Sequence, residues 1–256
     1  VKGDFAKAWN YDAFMQTAKV IYQQQYKNEF SFSRGQKALD VVSVNGVPTC
    51  RSVVDGTDPN CVPYNFWVTG GVTQAALDYI QIPGFQKGDT QQTVAGGTIS
   101  GDLGVYGMKL PGAKNGIGVA FGIEQRTEKL ELNTDVAYTT GDLAGQGGPT
   151  IGVAGKYTVK DYFAEVRAPI IEGAPMAHLL SVNGSYRRSD YSIDQQTDSY
   201  GFGIEWAPVQ QVRLRGSFQK AARAANIHEL FDAQAIGLFN SSDDPCSGTT
   251  PTATLA

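Results

Sequence analysis

Apolar and polar residues alternate with a period of two through several stretches of the chain. In residues 200–206, Tyr200, Phe202, Ile204 and Trp206 share one face, and Gly201, Gly203 and Glu205 share the other. The residues Ala207-Pro208-Val209-Gln210 then break the pattern and predict a short turn. Beyond them Val212, Leu214, Gly216 and Phe218 alternate with Arg213, Arg215, Ser217 and Gln219. Successive side chains of a β-strand point to opposite faces, so this period predicts strands. The same alternation sets Ile117, Val119, Phe121 and Ile123 against Gly118, Ala120, Gly122, Glu124 and Arg126. It sets Ala164, Val166 and Ala168 against Phe163, Glu165 and Arg167, and Leu180, Val182, Gly184 and Tyr186 against Ser181, Asn183, Ser185 and Arg187. Residues 12–23 and 90–103 are long enough for strands but have less regular faces.

The connections alternate between short and long. Compact turns are predicted at residues 108–113, 171–175 and 207–210; longer polar stretches lie at 130–155 and after about residue 222. An up-and-down antiparallel sheet produces this alternation, and in membrane barrels the short turns are periplasmic and the long loops extracellular. Glu or Arg recurs on the polar face of neighbouring strands, which predicts an enclosed but wet surface. The expected fold is therefore all-β: an antiparallel up-and-down transmembrane β-barrel, partial, with about seven strands. Mean hydropathy is −0.24. That value does not argue against a barrel, because its strands average lipid-facing with lumen-facing residues. The sequence has no run of 18 apolar residues, so no transmembrane helix is predicted.

The longest insertion, about residues 25–87, reads as one extracellular loop with structure of its own. A short helix is predicted over residues 33–42 with Ser33 as its N-cap, and a second over residues 73–80 capped by Thr73. Between them, Cys50 and Cys61 stand in a polar stretch rich in Pro, Gly and Asp. This reads as a local disulfide in an oxidising compartment, the alternative being two free thiols. Cys246 is left without an obvious partner. A loop of this length with helices and a bridge is usually functional. The chain holds 30 glycines without a triplet period, which excludes collagen and suits tight turns and crowded strands. Its net charge of −4, with the two signs interspersed, gives no footprint for nucleic acid.

No catalytic constellation is recognisable. There is no nucleophile elbow and no His/Cys cluster with zinc spacing, so no enzyme activity, cofactor or metal is expected. His178 and His228 are isolated, and Asp55, Asp58 and Asp78 lack ligand spacing. The candidate chemistry lies in the polar faces. Glu124, Arg126, Glu165, Arg167, Glu205, Arg213 and Arg215 are expected to face the lumen, either as a cross-strand ion-pair ladder or as ligand contacts. Tyr64, Phe66, Trp67 and Tyr79 lie in or near the long loop. They would stack on a sugar or siderophore, or else pack the loop's own small core.

Several motifs occur in the order found in one family. Cys61-Val62-Pro63-Tyr64-Asn65, then Gly70-Gly71-Val72-Thr73, resembles a loop of proteobacterial TonB-dependent outer-membrane receptors. Residues 118–126 resemble a strand that ends Glu-Tyr-Arg in the family, with Gln125 here in place of tyrosine. Phe163-Ala164-Glu165-Val166-Arg167-Ala168-Pro169 resembles another strand of the family. Residues 203–208 and 213–231 resemble its strand–turn–strand, with Ala225 where proline is usual. Asp244-Pro245-Cys246 resembles the start of a later extracellular loop that carries a disulfide.

The resemblance implies one barrel domain over residues 1–256, with a truncated extracellular loop at 223–256 and neither plug domain nor TonB box. The sheet is expected to be open, with its first and last strands unpaired. It implies a bacterial outer-membrane location, contact with outer-membrane lipid, coupling to the TonB complex through the plug, and docking of that plug on the inward charges. The implied function is active uptake of a scarce nutrient, a carbohydrate or a siderophore-type ligand. A passive porin-like channel and a secreted carbohydrate-binding β-sandwich are the alternatives. The sandwich predicts that the apolar faces pack on a second sheet.

Overall fold

The computed structural model describes residues 1–234. Eight strands form one sheet in the order β1-β2-β5-β6-β7-β8-β9-β10, and β3 pairs with β4 in a separate hairpin. The strands are β1 Lys2–Phe5, β2 Trp9–Phe30, β3 Val41–Val44, β4 Val47–Cys50, β5 Gln81–Asp102, β6 Gly118–Thr134, β7 Val153–Ala174, β8 Ala177–Tyr191, β9 Gln195–Val209 and β10 Val212–Lys220. Apart from the inserted hairpin, every strand neighbours the next one in sequence, so the sheet is up-and-down. It has two edges, β1 and β10, and is not closed. The large sheet thus has one strand more than the seven expected; the addition is β1, too short to show a period.

The chain divides into two compact units. The first comprises residues 1–22, 88–131 and 153–232. Its ladders are antiparallel: Lys2 faces Asp12, Val166 faces Gly184, Gly184 faces Phe202, and Phe202 faces Phe218. Tyr200, Phe202, Ile204, Trp206, Leu214 and Phe218 come to one face of β9 and β10, and all are exposed. Phe202 is 60% exposed, although burying such a side chain is worth roughly 1.5–3 kcal/mol in water. Among the described residues no second sheet covers this face, which goes against the sandwich. On the opposite face of β8, Ser181 and Ser189 are buried. Apolar outside and polar inside is the burial order of a sheet whose solvent is lipid.

Two strands run through turns predicted from the sequence. β7 runs to Ala174 through the predicted turn at 171–175, and the chain reverses at residues 175–176. β9 runs to Val209, so Ala207-Pro208-Val209 is strand and the turn is residues 210–211. Both misreadings come from proline. Pro169 sits beside a register shift between Pro169 and Ile171, and a bulge frees proline from its missing donor.

The second unit comprises residues 23–87 and 132–152, with residues 233–234. β2 extends to Phe30 and β5 starts at Gln81, so the connection is 31–80 rather than 25–87. It contains helices α1 Phe32–Leu39, α2 Arg51–Val54 and α3 Gln74–Ile80. The N-cap of α1 is Ser31, which accepts from the Arg34 backbone N–H at 3.1 Å, and not Ser33. Asp142 decides this, since it accepts from the Ser31 hydroxyl at 2.5 Å and from the Ser33 backbone N–H at 2.7 Å. The helix ends before Val41 and Val42, which belong to β3. Asn45 and Gly46 both have positive φ (51° and 83°) and make the β3–β4 turn, as a two-residue hairpin demands. Thr73 caps α3 by accepting from the Ala76 N–H at 3.2 Å. Residues 135–152 carry α4 Val136–Thr139. In the first unit, Asn226 and Glu229 form a capping box on α5 Ile227–Phe231. Cys246 and the Asp244-Pro245-Cys246 motif lie outside the described residues.

Candidate functional site

The polar face of β7–β10 gathers charge around one carboxylate. Glu205 is only 14% exposed and lies between Ser181 of β8 and Arg215 of β10 in register. Its carboxylate meets Arg213 Nε at 3.0 Å, Arg215 at 3.7 Å and Arg167 at 4.0 Å. Arg213 falls within the register shift between Val212 and Leu214, which brings two arginines of one short strand to the same glutamate. Glu205 Oε1 is enclosed and accepts no well-aligned hydrogen bond among the described residues, so its contacts are coulombic. The arginine side chains are more than half exposed, and each pair is worth about 0–1 kcal/mol at most. Three guanidinium groups around one carboxylate leave positive charge in excess at this node.

The remaining sequence candidates on the polar face lie elsewhere. Glu124 and Glu165 border a hollow of about 400 Å³ with Phe163, Ser185, Arg187 and Ser199. Arg126 pairs with Glu128 on its own strand at 3.4 Å. A second node, absent from the sequence candidates, is Asp161. It accepts from the Ser189 hydroxyl and meets Arg187 Nε at 3.3 Å. Arg187 stood on the polar face in the alternation, and that was its only signal; Asp161 gave none. Tyr157 and Tyr191 pack with ring centroids 6.2 Å apart. They line a concavity of about 530 Å³ with Glu128, Asp161, Arg223 and Asn226.

In the other unit, Cys50 and Cys61 form a disulfide with Cα atoms 6.1 Å apart. Around it Ala38, Tyr79 and Ile80 are buried, with Val53, Val62, Tyr64 and Leu77 packed against them. Tyr79 is thus a core residue. Its hydroxyl donates to Asp58 at 2.9 Å, and the Arg34 guanidinium lies 5.7 Å over its ring. Burial pushes the Tyr79 phenol up to about 12, and Asp58 adds to the shift. Bonds from Lys37 and Tyr79 hold the Asp58 carboxyl below its usual range. The exposed aromatics of this unit include Trp67 at 80% and Phe66, whose rings are 4.3 Å apart. Of the three loop tyrosine and tryptophan candidates, Trp67 is presented outward, Tyr64 is half-buried and Tyr79 is enclosed.

Among the described residues no helix is long and apolar enough to cross a membrane, and no group of three or more His, Cys, Asp or Glu could hold a metal. No curated protein and no solved structure matches the chain. A family model described as TonB dependent receptor-like, beta-barrel matches residues 4–254. With almost the whole length matched, and with exposed apolar faces on an up-and-down sheet, the chain belongs to the TonB-dependent receptor β-barrel family.

Proposed function

We propose that this chain forms barrel wall in an outer-membrane receptor that takes up a scarce small molecule, a carbohydrate or a siderophore-type ligand, at the expense of TonB-coupled energy. The family is one of receptors and transporters of the outer membrane rather than of enzymes. The observation that carries the finer reading is the Glu205 node. A wall facing only water gains little from three arginines on one carboxylate. Surplus guanidinium groups at this node suit acidic partners, which they bind in bidentate fashion. A plug domain docked in the lumen would present such groups. Glu124, Arg126, Glu165 and Arg167 would extend the same docking surface or touch the ligand. The Phe66–Trp67 pair, with Tyr64 behind it at 6.2 Å from Phe66, offers stacking surface for a sugar ring or an aromatic chelator.

The test is uptake by cells carrying the full-length protein. Labelled oligosaccharides and ferric siderophores are offered to cells with and without TonB. One ligand class should accumulate, and only with TonB. Substituting Arg167, Arg213 and Arg215 together by Gln should reduce uptake at least tenfold while surface levels stay unchanged. Uptake that proceeds equally without TonB would replace this reading with the passive channel.

A further inference from the structure

The apolar face of β7–β10 is not uniform. A hollow of about 580 Å³ lies on it, with Gly184 and Gly216 as its floor and Val166, Phe202, Ile204 and Phe218 among its walls. The register explains the shape. Gly184 stands between Val166 and Phe202, and Gly216 stands beside Ile204. Phe202 and Phe218 stack at 5.3 Å to make one side. Nothing in the backbone demands either glycine, because neither has a positive φ. A Cβ at Gly184 would meet nothing nearer than 3.6 Å, and at Gly216 nothing nearer than 3.7 Å. Glycines on the polar face differ: a Cβ at Gly203 would come within 2.8 Å of Asn183, and one at Gly122 would strike the Phe163 ring. Gly203 and Gly122 are thus crowded by neighbours, whereas Gly184 and Gly216 leave room.

One pairing level beyond the hollow, Tyr186, Tyr200 and Lys220 lie side by side in register. The Lys220 ammonium is 5.7 Å from the Tyr200 ring centroid and makes no ion pair among the described residues. Arg188 and Asp198 form the next level, and Lys160 and Asp190 the one after. Asp198 accepts from the Tyr186 hydroxyl at 2.6 Å, and Asp190 meets Arg188 at 3.3 Å. Three cations therefore face two carboxylates; Arg188 is paired with Asp190, while Lys160 and Lys220 make no ion pair among the described residues. Tyrosines mark the interface of a membrane barrel, and basic residues just beyond them lie at phosphate depth. The opposite end of this band, at Trp206, carries only the turns 175–176 and 210–211, whereas the Tyr200 end carries the turn 192–194 and the long connection 135–152 that leads into β7; long connections are extracellular in such barrels. The Tyr200 end then faces the outer leaflet.

We propose that this hollow is a binding site for one outer-leaflet phosphorylated glycolipid, with an acyl chain lying over Gly184 and Gly216 and a phosphate at Lys220. The site rests on the membrane reading above but not on transport. Hydrocarbon fills the open floor, which no side chain of this face does, and the phosphate supplies the anion that Lys220 lacks.

The test is native mass spectrometry of the detergent-purified full-length protein, titrated with hexa-acylated bis-phosphorylated lipid A or with phosphatidylethanolamine of matched chains. The wild-type protein should retain one lipid A per chain and prefer it over phosphatidylethanolamine. Gly184→Leu and Gly216→Leu should each weaken retention of lipid A about fivefold by filling the floor. Lys220→Gln should weaken lipid A about fivefold and leave phosphatidylethanolamine unchanged. Should Gly184→Leu fail to fold, Gly216→Leu and Lys220→Gln carry the test. Equal retention by wild type and variants, or no preference for lipid A, overturns the proposal. That result together with intact TonB-dependent uptake would remove the lipid site alone.

Discussion

In the segment around the Cys50–Cys61 bridge, the buried residues include Ala38, Cys50, Cys61, Tyr79 and Ile80. Polar Asp58 lies at the border of that core, held by Lys37 and Tyr79. In β8 and β9 the buried positions include Ser181 and Ser189, while Tyr200, Phe202 and Ile204 are open. The first region obeys the rule of a water-soluble domain, stapled because its core is small. The second obeys the reverse rule. The same chain follows both because the hydrophobic effect responds to the surrounding solvent, and only the strands have lipid for theirs. Exposure of large apolar side chains is thus a stability term in one region and a fault in the other.

The comparison breaks most visibly if charge enters the apolar face. Phe202→Arg should cost about 2–4 kcal/mol when the barrel is in a bilayer, because the guanidinium must leave water. The loss would appear as a smaller fraction of the compact, heat-modifiable band on a gel of protein refolded into vesicles. Ser217→Arg, on the polar face of the neighbouring strand, should leave that band intact. Equal losses at both positions would show that the two faces do not see different solvents.

Removing the staple tests the other region. Cys50→Ser, or reduction of the bridge, should destabilise the segment 31–80 by about 3 kcal/mol, since the bridge restrains the unfolded loop. Limited proteolysis should then cut between residues 51 and 73, while the heat-modifiable band of the strands is unaffected. Loss of the strands on reduction would mean that their stability depends on the bridged segment.

A smaller effect is expected at the Glu205 node. Glu205→Gln leaves three arginines without their carboxylate. Because their side chains are more than half exposed, repulsion is screened and the cost should be about 1 kcal/mol. A urea midpoint of the refolded protein that shifts more at low salt than at 0.5 M salt would identify the loss as coulombic. A shift independent of salt would assign it to packing instead.

Much of the strand region was legible because period two is a local signal: Tyr200, Phe202, Ile204 and Trp206 declare a face with no knowledge of their neighbours. The strand ends were not legible. Pro169 and Pro208 look like breakers in sequence, and only pairing reveals the bulge that tolerates the first. The α1 cap was placed two residues late because Asp142, more than a hundred residues away, chooses between Ser31 and Ser33. At the site, the charges on the polar face followed from alternation. The convergence of Arg167, Arg213 and Arg215 on Glu205 did not, because it depends on register and on a shift within β10. Tyr79 and Trp67 read alike as loop aromatics. One is enclosed and the other exposed because α3 turns its last residues into the small core.

The smallest expected effect sharpens the comparison through pH, because the bridged core has titrating groups at its border. Asp58 is held below its ordinary range by bonds from Lys37 and Tyr79, so its folded form binds protons less readily than its unfolded form. Its contribution is complete above about pH 4, the ordinary carboxylate value, and is lost as pH falls through the lower folded value. Tyr79 runs the other way. Burial raises its phenol to about 12, so its contribution is complete below about pH 10 and is lost as pH rises toward 12. Protease resistance of segment 31–80 should therefore be flat from about pH 4 to about pH 10 and fall at both ends. Tyr79→Phe should remove the alkaline fall by deleting the titrating hydroxyl. It should also weaken the acid one, since Asp58 loses a donor while Lys37 remains at 3.0 Å. An unchanged alkaline fall in Tyr79→Phe would show that another group in the segment titrates there.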